Sequence, residues 1–372
     1  MLAWFGTLRV MLKTPYATLL FVCLVACSES PSTVSDAATS IHPPDCAPDP
    51  SGEPSWQVLD LCRSEGQLLS VSAHTHDDVW VVGAGGQILH FDGCRWSSVA
   101  SGLTTDLWWT TSVGNTVFIT GQNGAIVRVP RDRLAPATSM DTPTDVTLFG
   151  IWAASESDAW SVGFDPLDPD SDSVILRLVD GVWTSIDFPI GVDPKTDLFK
   201  VWGRAADDVW IVGRDGVILH FDGTALSRVE SPDTDWVTVT GTSDKMIMVG
   251  GSQTGALAIL EQGELTSISL DSVPPLQGIC MGTEGQGIAT GLFGAILQNQ
   301  TDGSWLTDYN APLDLFTPGE PPVEGCTTVI PDYHACAIDD RGGIYLVGGG
   351  FSSGLRDGTL LYYGPAHSTD GL

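Results

Sequence analysis

Positive charge is scarce in this chain, and long apolar runs are missing from it. Lys and Arg number 16 against 46 Asp and Glu, which gives a formal net charge of -30. Nucleic-acid binding needs a basic surface that displaces counterions from phosphates, so this balance argues against it. The longest apolar run, residues 17–26, is about half as long as a membrane-spanning helix. We therefore expect neither nucleic-acid binding nor a spanning helix.

Motifs for catalysis and for structural metals are also missing. The sequence has no Gly-x-Ser-x-Gly elbow of a hydrolase and no CxxC or His/Cys spacing of a structural zinc site. Gly-rich stretches such as residues 83–86 lie between predicted strands and open no helix, which favours turns over phosphate cradles. The abundant acids still leave one enzymatic alternative, in which two carboxylates on one face act on carbohydrate.

The first 26 residues have the parts of a bacterial secretory signal. Arg9 and Lys13 precede the apolar run, and the run ends in LVAC at residues 24–27. This ending resembles the lipobox of bacterial lipoproteins, in which the chain is cut before the cysteine and the cysteine is lipidated. The resemblance implies that residues 1–26 are removed and that a lipidated Cys27 anchors the protein in the cell envelope. An ordinary signal peptide with a chance cysteine is the alternative.

The segment from Cys27 to residue 54 is rich in Ser, Thr, Pro and Asp and lacks apolar periodicity. Such a composition predicts a disordered tether between the lipid and a folded domain. Ser28 stands where an Asp would favour the inner membrane, so the outer membrane is the expected location. Without residues 1–26 the chain keeps 14 basic and 46 acidic residues, so anionic headgroups would repel its body. We therefore expect the lipid alone to attach the protein to the membrane.

Cysteine content agrees with export. When Cys23 and Cys27 are set aside, six cysteines remain, which is an even number: Cys46, Cys62, Cys94, Cys280, Cys326 and Cys336. In an oxidising compartment this predicts disulfides, and the pair closest in sequence, Cys326 and Cys336, is the one we predict. For Cys280, which lies in an apolar stretch, a buried free thiol is the alternative.

An internal repeat is the strongest pattern in the chain. Residues 79–96 read VWVVGAGGQILHFDGCRW, residues 209–223 read VWIVGRDGVILHFDG, and five weaker copies share this plan. A marker glycine recurs at intervals of 37 to 57 residues, at Gly83, Gly121, Gly163, Gly213, Gly250, Gly291 and Gly348. Seven copies with this period predict an all-β, seven-bladed β-propeller with four short strands in each blade.

Each copy divides into the same parts. An apolar first strand, such as residues 198–204, is followed by an alternating second strand and, after a tight Gly turn, by a third. Asp222-Gly223 then predicts a two-residue hairpin, because both residue types tolerate a positive φ. The fourth strand is often marked by Trp.

The last copy contains only three strands. Its missing fourth strand is found at the other end of the domain, where residues 55–61 read SWQVLDL. We predict that this N-terminal strand completes the last blade and closes the ring, so that no sheet edge stays open. The propeller then spans residues 55–364, and residues 365–372 form a C-terminal tail. A monomer is expected by analogy with other closed propellers.

The pattern DVWxVGxxGxIxHxDGxxW, which residues 78–96 match in full, resembles repeat proteins of myxobacteria and related bacteria. It is similar more distantly to photosystem-assembly-factor, Asp-box and kelch propellers. The resemblance implies the propeller fold over residues 55–364. It implies nothing about activity, because propellers host many unrelated functions.

Two histidines and two tryptophans are candidates for ligand contact. His74 and His76 lie beside acids in the loop after a first strand, where a metal site is one alternative. The equivalent loop at residues 205–208 keeps the acids and lacks the histidines, which favours a role for the acids in the turn. Trp108 and Trp109 lie on a first strand, which should line the central channel, and they depart from the repeat pattern.

Other aromatic positions recur in the repeat and are expected to be structural. Trp152 and Trp202 share one repeat position, which predicts packing between blades rather than stacking on a sugar. His90 and His220 share another position, which predicts packing or hydrogen bonding.

Calcium is the one cofactor that the sequence suggests. Asp168, Asp170 and Asp172 have the D-x-D-x-D opening of a calcium loop. Ser173 and Val179 stand where that loop needs a glycine and a bidentate acid, so a solvated acidic loop is the main interpretation.

The expected function is therefore a lipid-anchored, non-catalytic binding or scaffold module for a protein or polysaccharide partner in the cell envelope. The alternative is an envelope carbohydrate-active enzyme that uses acidic residues on one face of the propeller.

Overall fold

The computed structural model describes residues 52–61, 66–270, 272–307, 331–350 and 358–372. The predicted signal peptide, most of the tether, the lipidation candidate Cys27 and the disulfide candidate Cys326 lie outside these ranges. The described residues form 28 strands and two short 3-10 turns, Ala84–Gly86 and Leu292–Gly294. Within them, no helix has the length and apolar character needed to cross a membrane.

The strands form seven four-stranded antiparallel sheets, which confirms the predicted seven-bladed propeller. The first three blades consist of β2 (Leu68–Thr75), β3 (Asp78–Gly83), β4 (Ile88–Phe91) and β5 (Trp96–Ser98); β6 (Leu107–Val113), β7 (Thr116–Gly121), β8 (Ile126–Pro130) and β9 (Thr138–Met140); and β10 (Thr147–Ser155), β11 (Asp158–Phe164), β12 (Val174–Val179) and β13 (Val182–Ser185).

The next three blades repeat this order from the inner strand outwards. They consist of β14 (Leu198–Ala205), β15 (Asp208–Gly213), β16 (Ile218–Phe221) and β17 (Leu226–Val229); β18 (Trp236–Gly241), β19 (Lys245–Gly250), β20 (Ala256–Glu261) and β21 (Glu264–Ser269); and β22 (Leu276–Met281), β23 (Gly287–Gly291), β24 (Ile296–Asn299) and β25 (Trp305–Thr307).

The seventh blade closes the ring. Its strands are β26 (Asp332–Ile338), β27 (Ile344–Gly349), β28 (Gly358–Gly364) and, outermost, β1 (Ser55–Leu61). The N-terminal strand β1 pairs antiparallel with β28, from Ser55 opposite Gly364 to Leu61 opposite Thr359, as predicted. Each inner strand also contacts the inner strand of the next blade, and β26 contacts β2.

The C-terminal segment, residues 365–372, packs on the ring and forms a second clasp, after β1. The His367 ring lies 4.3 Å from the Phe91 ring of blade one and 4.6 Å from the Tyr362 ring of blade seven, centroid to centroid. The Trp96 backbone N–H donates to the Asp370 carbonyl at 2.8 Å. The segment therefore joins the last blade to the first.

The recurrent histidines complete a hydrogen-bonded unit, which confirms their predicted structural role. In blade one the Trp80 indole N–H and His90 Nε2 both donate to Asp78 Oδ1, at 2.7 and 2.9 Å, and the two rings stack at 4.1 Å. Blade four repeats the arrangement with Asp208, Trp210 and His220. The repeated Asp therefore satisfies buried donors, which is more than the turn role expected for it.

Two details of the sequence prediction were wrong. The Asp222-Gly223 turn is longer than two residues, because β16 ends at Phe221 and β17 begins at Leu226. Asp222 Oδ1 accepts the backbone N–H groups of Thr224 and Ala225, both at 2.9 Å, which stabilises the longer turn.

The predicted pair Cys326–Cys336 is also corrected, because Cys336 forms its disulfide with Cys280. The two cysteines lie on β26 and β22, the inner strands of neighbouring blades, with a Cα–Cα distance of 5.7 Å. Proximity in the ring, and not along the chain, therefore decides the pairing, and Cys280 is not a free thiol.

Candidate functional site

All seven inner strands carry a β-bulge at the same point. One extra residue interrupts each ladder between the first and second strands of a blade, at Leu69, Trp108, Phe149, Phe199, Val237, Gln277 and His334. The Trp108 ring lies 4.9 Å from Phe149 of blade three and 5.8 Å from His334 of blade seven. We call these seven residues the bulge layer; the rings of Trp108, Phe149 and His334, from three different blades, meet in it.

The bulges release carbonyl groups that neighbouring blades use. Lys200 Nζ donates to the Phe149 carbonyl at 2.8 Å, and Thr238 Oγ1 donates to the Gln277 carbonyl at 2.5 Å. His334 Nδ1 likewise donates to the Leu69 carbonyl. Three side-chain hydrogen bonds thus tie inner strands together around the axis.

Beside the bulge layer lies a cavity of ≈ 280 Å³, the axial cavity. Every inner strand contributes to its wall, which includes the Cys280–Cys336 disulfide, Trp109 and Lys200. Most of the lining residues lie in the later half of their strands. The cavity therefore faces the loops that connect the first and second strands of the blades.

Lys200 is the unusual side chain of this cavity. It is 3% exposed, and its ammonium lies 4.0 Å from the centroid of the Trp109 ring. Burial lowers the pKa of Lys200 to about 7 because an ammonium loses its hydration in the interior. Near neutral pH this residue is therefore poised between a cation and a free amine.

His334 is the titratable group next to Lys200. Burial, and secondly the charge of Lys200, lower the pKa of His334 to about 3. The hydrogen bond to the Leu69 carbonyl raises this pKa, but by less than the other two effects lower it. The imidazole is therefore neutral near pH 7, and its Nδ1–H donates to the Leu69 carbonyl.

Trp152 and Trp202 both line the cavity and pack between blades, as their recurrence predicted. A Cβ on Gly203 would come within 2.5 Å of the Trp152 ring, and a Cβ on Gly241 within 2.7 Å of the Trp202 ring. The six-membered ring of each indole therefore contacts a glycine of the following blade.

The four ligand-contact candidates separate into two groups. His74 and Trp109 line the axial cavity, on β2 and β6. Trp108 lies in the bulge layer instead, and His76 lies in a loop where its Nδ1 is 3.0 Å from Asp340 Oδ1 of blade seven. The structure thus brings two of the four candidates to the cavity.

A ring of carboxyl groups surrounds the mouth of the cavity. Six of the seven loops between first and second strands carry an acid that is exposed or half-buried, namely Asp77, Glu156, Asp207, Asp244, Glu284 and Asp340; we call them the acidic rim. Arg341 is a cation of these loops, and Arg204, near the end of β14, is held by Asp208 at 2.5 Å. Of the rim acids, Glu156 is paired with Arg128 at 2.7 Å. The mouth is therefore predominantly acidic, whereas the cavity wall carries Lys200.

The predicted calcium loop lies at the opposite end of the ring, because it connects the antiparallel second and third strands of blade three. Asp168, Asp170 and Asp172 are all exposed, Asp168 Oδ1 accepts the Asp170 backbone N–H, and Asp170 lies 3.6 Å from Lys195 Nζ. No three His, Cys, Asp or Glu side chains of the described ranges are grouped to hold a metal. Calcium binding stays a prediction.

Sequence reasoning missed Lys200 and His334. Lys200 replaces a small residue or a tryptophan at the repeat position after the bulge, as in Ser70, Gly150 and Trp109. A lysine within the apolar run LFKVW was the available signal. The bulge itself, which decides where the following side chain points, leaves no sequence signature in a single repeat.

Fold and site together define a closed β-propeller with an axial cavity. No protein-family model matches the chain, and no curated protein matches it. Among solved structures it is similar to the WD40 β-propeller domain of Doa1, with 10% identity, a TM-score of 0.61 and coverage of 86% of this chain and 100% of that chain.

Two structures of another propeller are similar to the same extent. YCF48 from Cyanidioschyzon merolae is 13% identical, with a TM-score of 0.60 over 84% of this chain and 99% of that chain. YCF48 bound to D1 peptide is 15% identical, with a TM-score of 0.59 over 83% and 96%. At these identities the similarity shows the propeller fold alone.

Proposed function

We propose that this chain is a non-catalytic binding module of the cell envelope, and that a protein partner docks on the acidic rim over the axial cavity. The observation that carries the proposal is the convergence of all seven inner strands on one cavity whose mouth is ringed by acids. Propeller loops that a rigid ring positions in this way suit recognition.

The partner's docking surface should be basic. A net charge of -30 and six rim acids attract cations over a range set by the ionic strength, which raises association rates and disfavours acidic surfaces. The structure of YCF48 with a bound D1 peptide supports this proposal by example, since that propeller also binds a polypeptide. A polysaccharide partner and carbohydrate hydrolysis are the alternatives that the test below separates.

The location belongs to the same proposal. A lipid on Cys27, with residues 28–54 as a tether, would hold the propeller at the outer membrane and leave the rim accessible. Intact mass of protein recovered from membranes tests this part: a chain that begins at a triacylated Cys27 supports the anchor. A chain that begins elsewhere, or that is found free of membranes, contradicts it.

Charge removal tests the docking surface. The rim variant Asp207→Asn/Asp244→Asn/Glu284→Gln removes three exposed charges, and the control Asp168→Asn/Asp170→Asn/Asp172→Asn removes three at the opposite end. Immobilised protein with the control substitutions should retain envelope proteins as the wild type does, and elution should require salt. The rim variant should retain at least tenfold less.

Equal retention by the two variants would overturn the rim as the docking surface. Measured turnover of an envelope glycan, lost on substitution of rim acids, would replace the binding module with the enzymatic alternative.

A further inference from the structure

The hydrogen-bonding capacity of Lys200 is only partly used. Of the three N–H donors of its ammonium, one is directed to the Phe149 carbonyl at 2.8 Å. The Trp109 ring covers a second side of the ammonium at 4.0 Å. Since Lys200 also lines the axial cavity, the remaining donor capacity is available to a molecule that enters there.

Lys200 also has no counter-charge among the described residues. None of their carboxyl groups forms an ion pair with it, although acids outnumber bases almost threefold in the chain. The groups that contact it are the Trp109 ring and the Phe149 carbonyl, and the neutral His334 imidazole lies nearby. In the cavity wall, His74 is a further titratable side chain, whereas the disulfide does not titrate. A buried ammonium in such surroundings is costly unless an anion joins it.

We propose that the axial cavity binds a carboxylate group, with the Lys200 ammonium as its counter-ion and hydrogen-bond donor. The inference rests on the proposed function in one respect, namely that the carboxylate is carried by the docked partner.

The rim decides which carboxylate reaches the cavity. An acidic rim repels free anions and attracts cations, so a carboxylate flanked by basic residues is favoured over an isolated acid. A cavity of ≈ 280 Å³ lies at the lower end of ligand-pocket volumes and suits a chain end better than an extended segment. The chemistry that fits both features is the terminal carboxylate of a basic polypeptide segment.

Calorimetric titration of the full chain tests the proposal with three probes. These are the peptide acetyl-Lys-Lys-Ala-Ala with a free carboxylate, the same peptide as its C-terminal amide, and propionate. The free-acid peptide should bind at least tenfold more tightly than the amide, because only the acid supplies the missing charge. Equal affinities of acid and amide for the wild type would overturn the proposal without any variant.

Two lysine variants locate the effect. Lys200→Met should abolish the preference for the acid, whereas Lys195→Met, which removes an exposed lysine at the other end of the ring, should preserve it. An acid preference that persists in Lys200→Met would contradict the assignment to Lys200. Propionate distinguishes a polypeptide C-terminus from a free small acid as the source of the carboxylate. Saturable propionate binding as tight as that of the peptide acid supports the carboxylate site but assigns it to free small acids.

Proton uptake gives a readout that a merely structural lysine would not produce. Near pH 7 about half of the free protein carries a neutral Lys200, and a bound carboxylate favours the charged form. Titrations in two buffers of different ionisation enthalpy should show uptake of roughly half a proton per site by the wild type and none by Lys200→Met. The apparent Kd should rise about tenfold for each pH unit above 7. Binding without proton uptake would contradict the proposal.

The outcomes for the cavity and for the rim are separable. If retention of envelope proteins does not depend on the rim acids, but acid and amide peptides still differ at Lys200, the proposed docking fails and the carboxylate site stands. If retention depends on the rim acids but the acid and amide peptides bind alike, the proposed docking stands and the carboxylate site fails.

Discussion

Asp208 and Lys200 show two contrasting settings for a charged side chain in this propeller. Asp208 lies where the sequence repeats, and it accepts the Trp210 indole at 2.7 Å and the His220 imidazole at 2.9 Å. Lys200 lies where the sequence departs from the repeat, and it lacks a counter-ion among the described residues. Recurrence made the role of His220 predictable. The surroundings of Lys200 could not be predicted in this way, because they come from three other blades.

Removal of the Asp208 carboxylate should destabilise the propeller. Asp208→Ala leaves the N–H of Trp210, which is 7% exposed, without its acceptor, and an unsatisfied buried donor costs about 1–3 kcal/mol. Asp207→Ala, one residue away and exposed, should change the free energy of unfolding by less than about 0.5 kcal/mol. Urea denaturation of both variants checks this, and equal effects would contradict the role given to Asp208.

The pKa of Lys200 predicts a pH-dependent stability. Because it falls from 10.5 to about 7 on folding, the unfolded chain binds more protons between these values, so stability rises with pH there. The slope is at most about 1.4 kcal/mol per pH unit. Lys200→Met should be more stable than the wild type at pH 7, and the difference should shrink toward about pH 9.5.

The rise of stability with pH ends where buried tyrosines begin to titrate in the unfolded chain. Burial raises the pKa of Tyr333 and Tyr345, so the unfolded chain loses these protons first above about pH 10 and stability falls again. Lys195→Met serves as the matched control. A difference between Lys200→Met and wild type that does not change with pH would refute the burial of a titrating Lys200.

Strands and their connections show where sequence patterns suffice and where they do not. The pairing of β1 with β28 followed from counting strands in the last repeat, since a closed ring needs a fourth one. The disulfide did not follow from the sequence, because Cys280 and Cys336 are 56 residues apart and become neighbours only once blades six and seven adjoin. The C-terminal clasp was likewise not predictable, because it depends on contacts between blades, and the bulges leave no sequence signature in a single repeat.

Loss of the disulfide should be measurable as a loss of stability. A cross-link over a separation of 56 residues limits the entropy of the unfolded chain, a contribution of about 4 kcal/mol in the loop-entropy description. The double variant Cys280→Ala/Cys336→Ala should lose this amount, and reductant should affect the wild type but not the variant. Peptide mapping that joins Cys336 to Cys326 instead would contradict the structure.

Deletion of β1 should weaken the whole ring and not one blade alone. Without residues 55–61 the strand β28 becomes an open edge and Leu59, which is 3% exposed, leaves the core it shares with blade one. We expect a loss of more than about 4 kcal/mol, measured by denaturation. Deletion of residues 30–36 from the predicted tether is the control and should have no effect.

At the scale of the whole molecule, the ring combines an acidic mouth with a lysine in the wall of its cavity. The repeat period predicted the ring, and the excess of acids predicted its charge. The segregation of charge could not be predicted, because it arises when seven distant loops come to one end of the axis while the inner strands place Lys200 below them. This segregation is the basis of the proposed recognition of a basic segment that carries a carboxylate.

Site-specific photo-cross-linking in intact cells tests the central claim most directly. A photoreactive p-benzoylphenylalanine replaces Ala206, an exposed residue next to the rim acid Asp207, or Val182, which is 61% exposed on the outer strand β13. The account predicts a covalent adduct with an envelope protein from position 206 and none from position 182. Adducts from position 182 alone, or from neither position while the chain is present at the membrane, would contradict a binding surface at the mouth of the propeller.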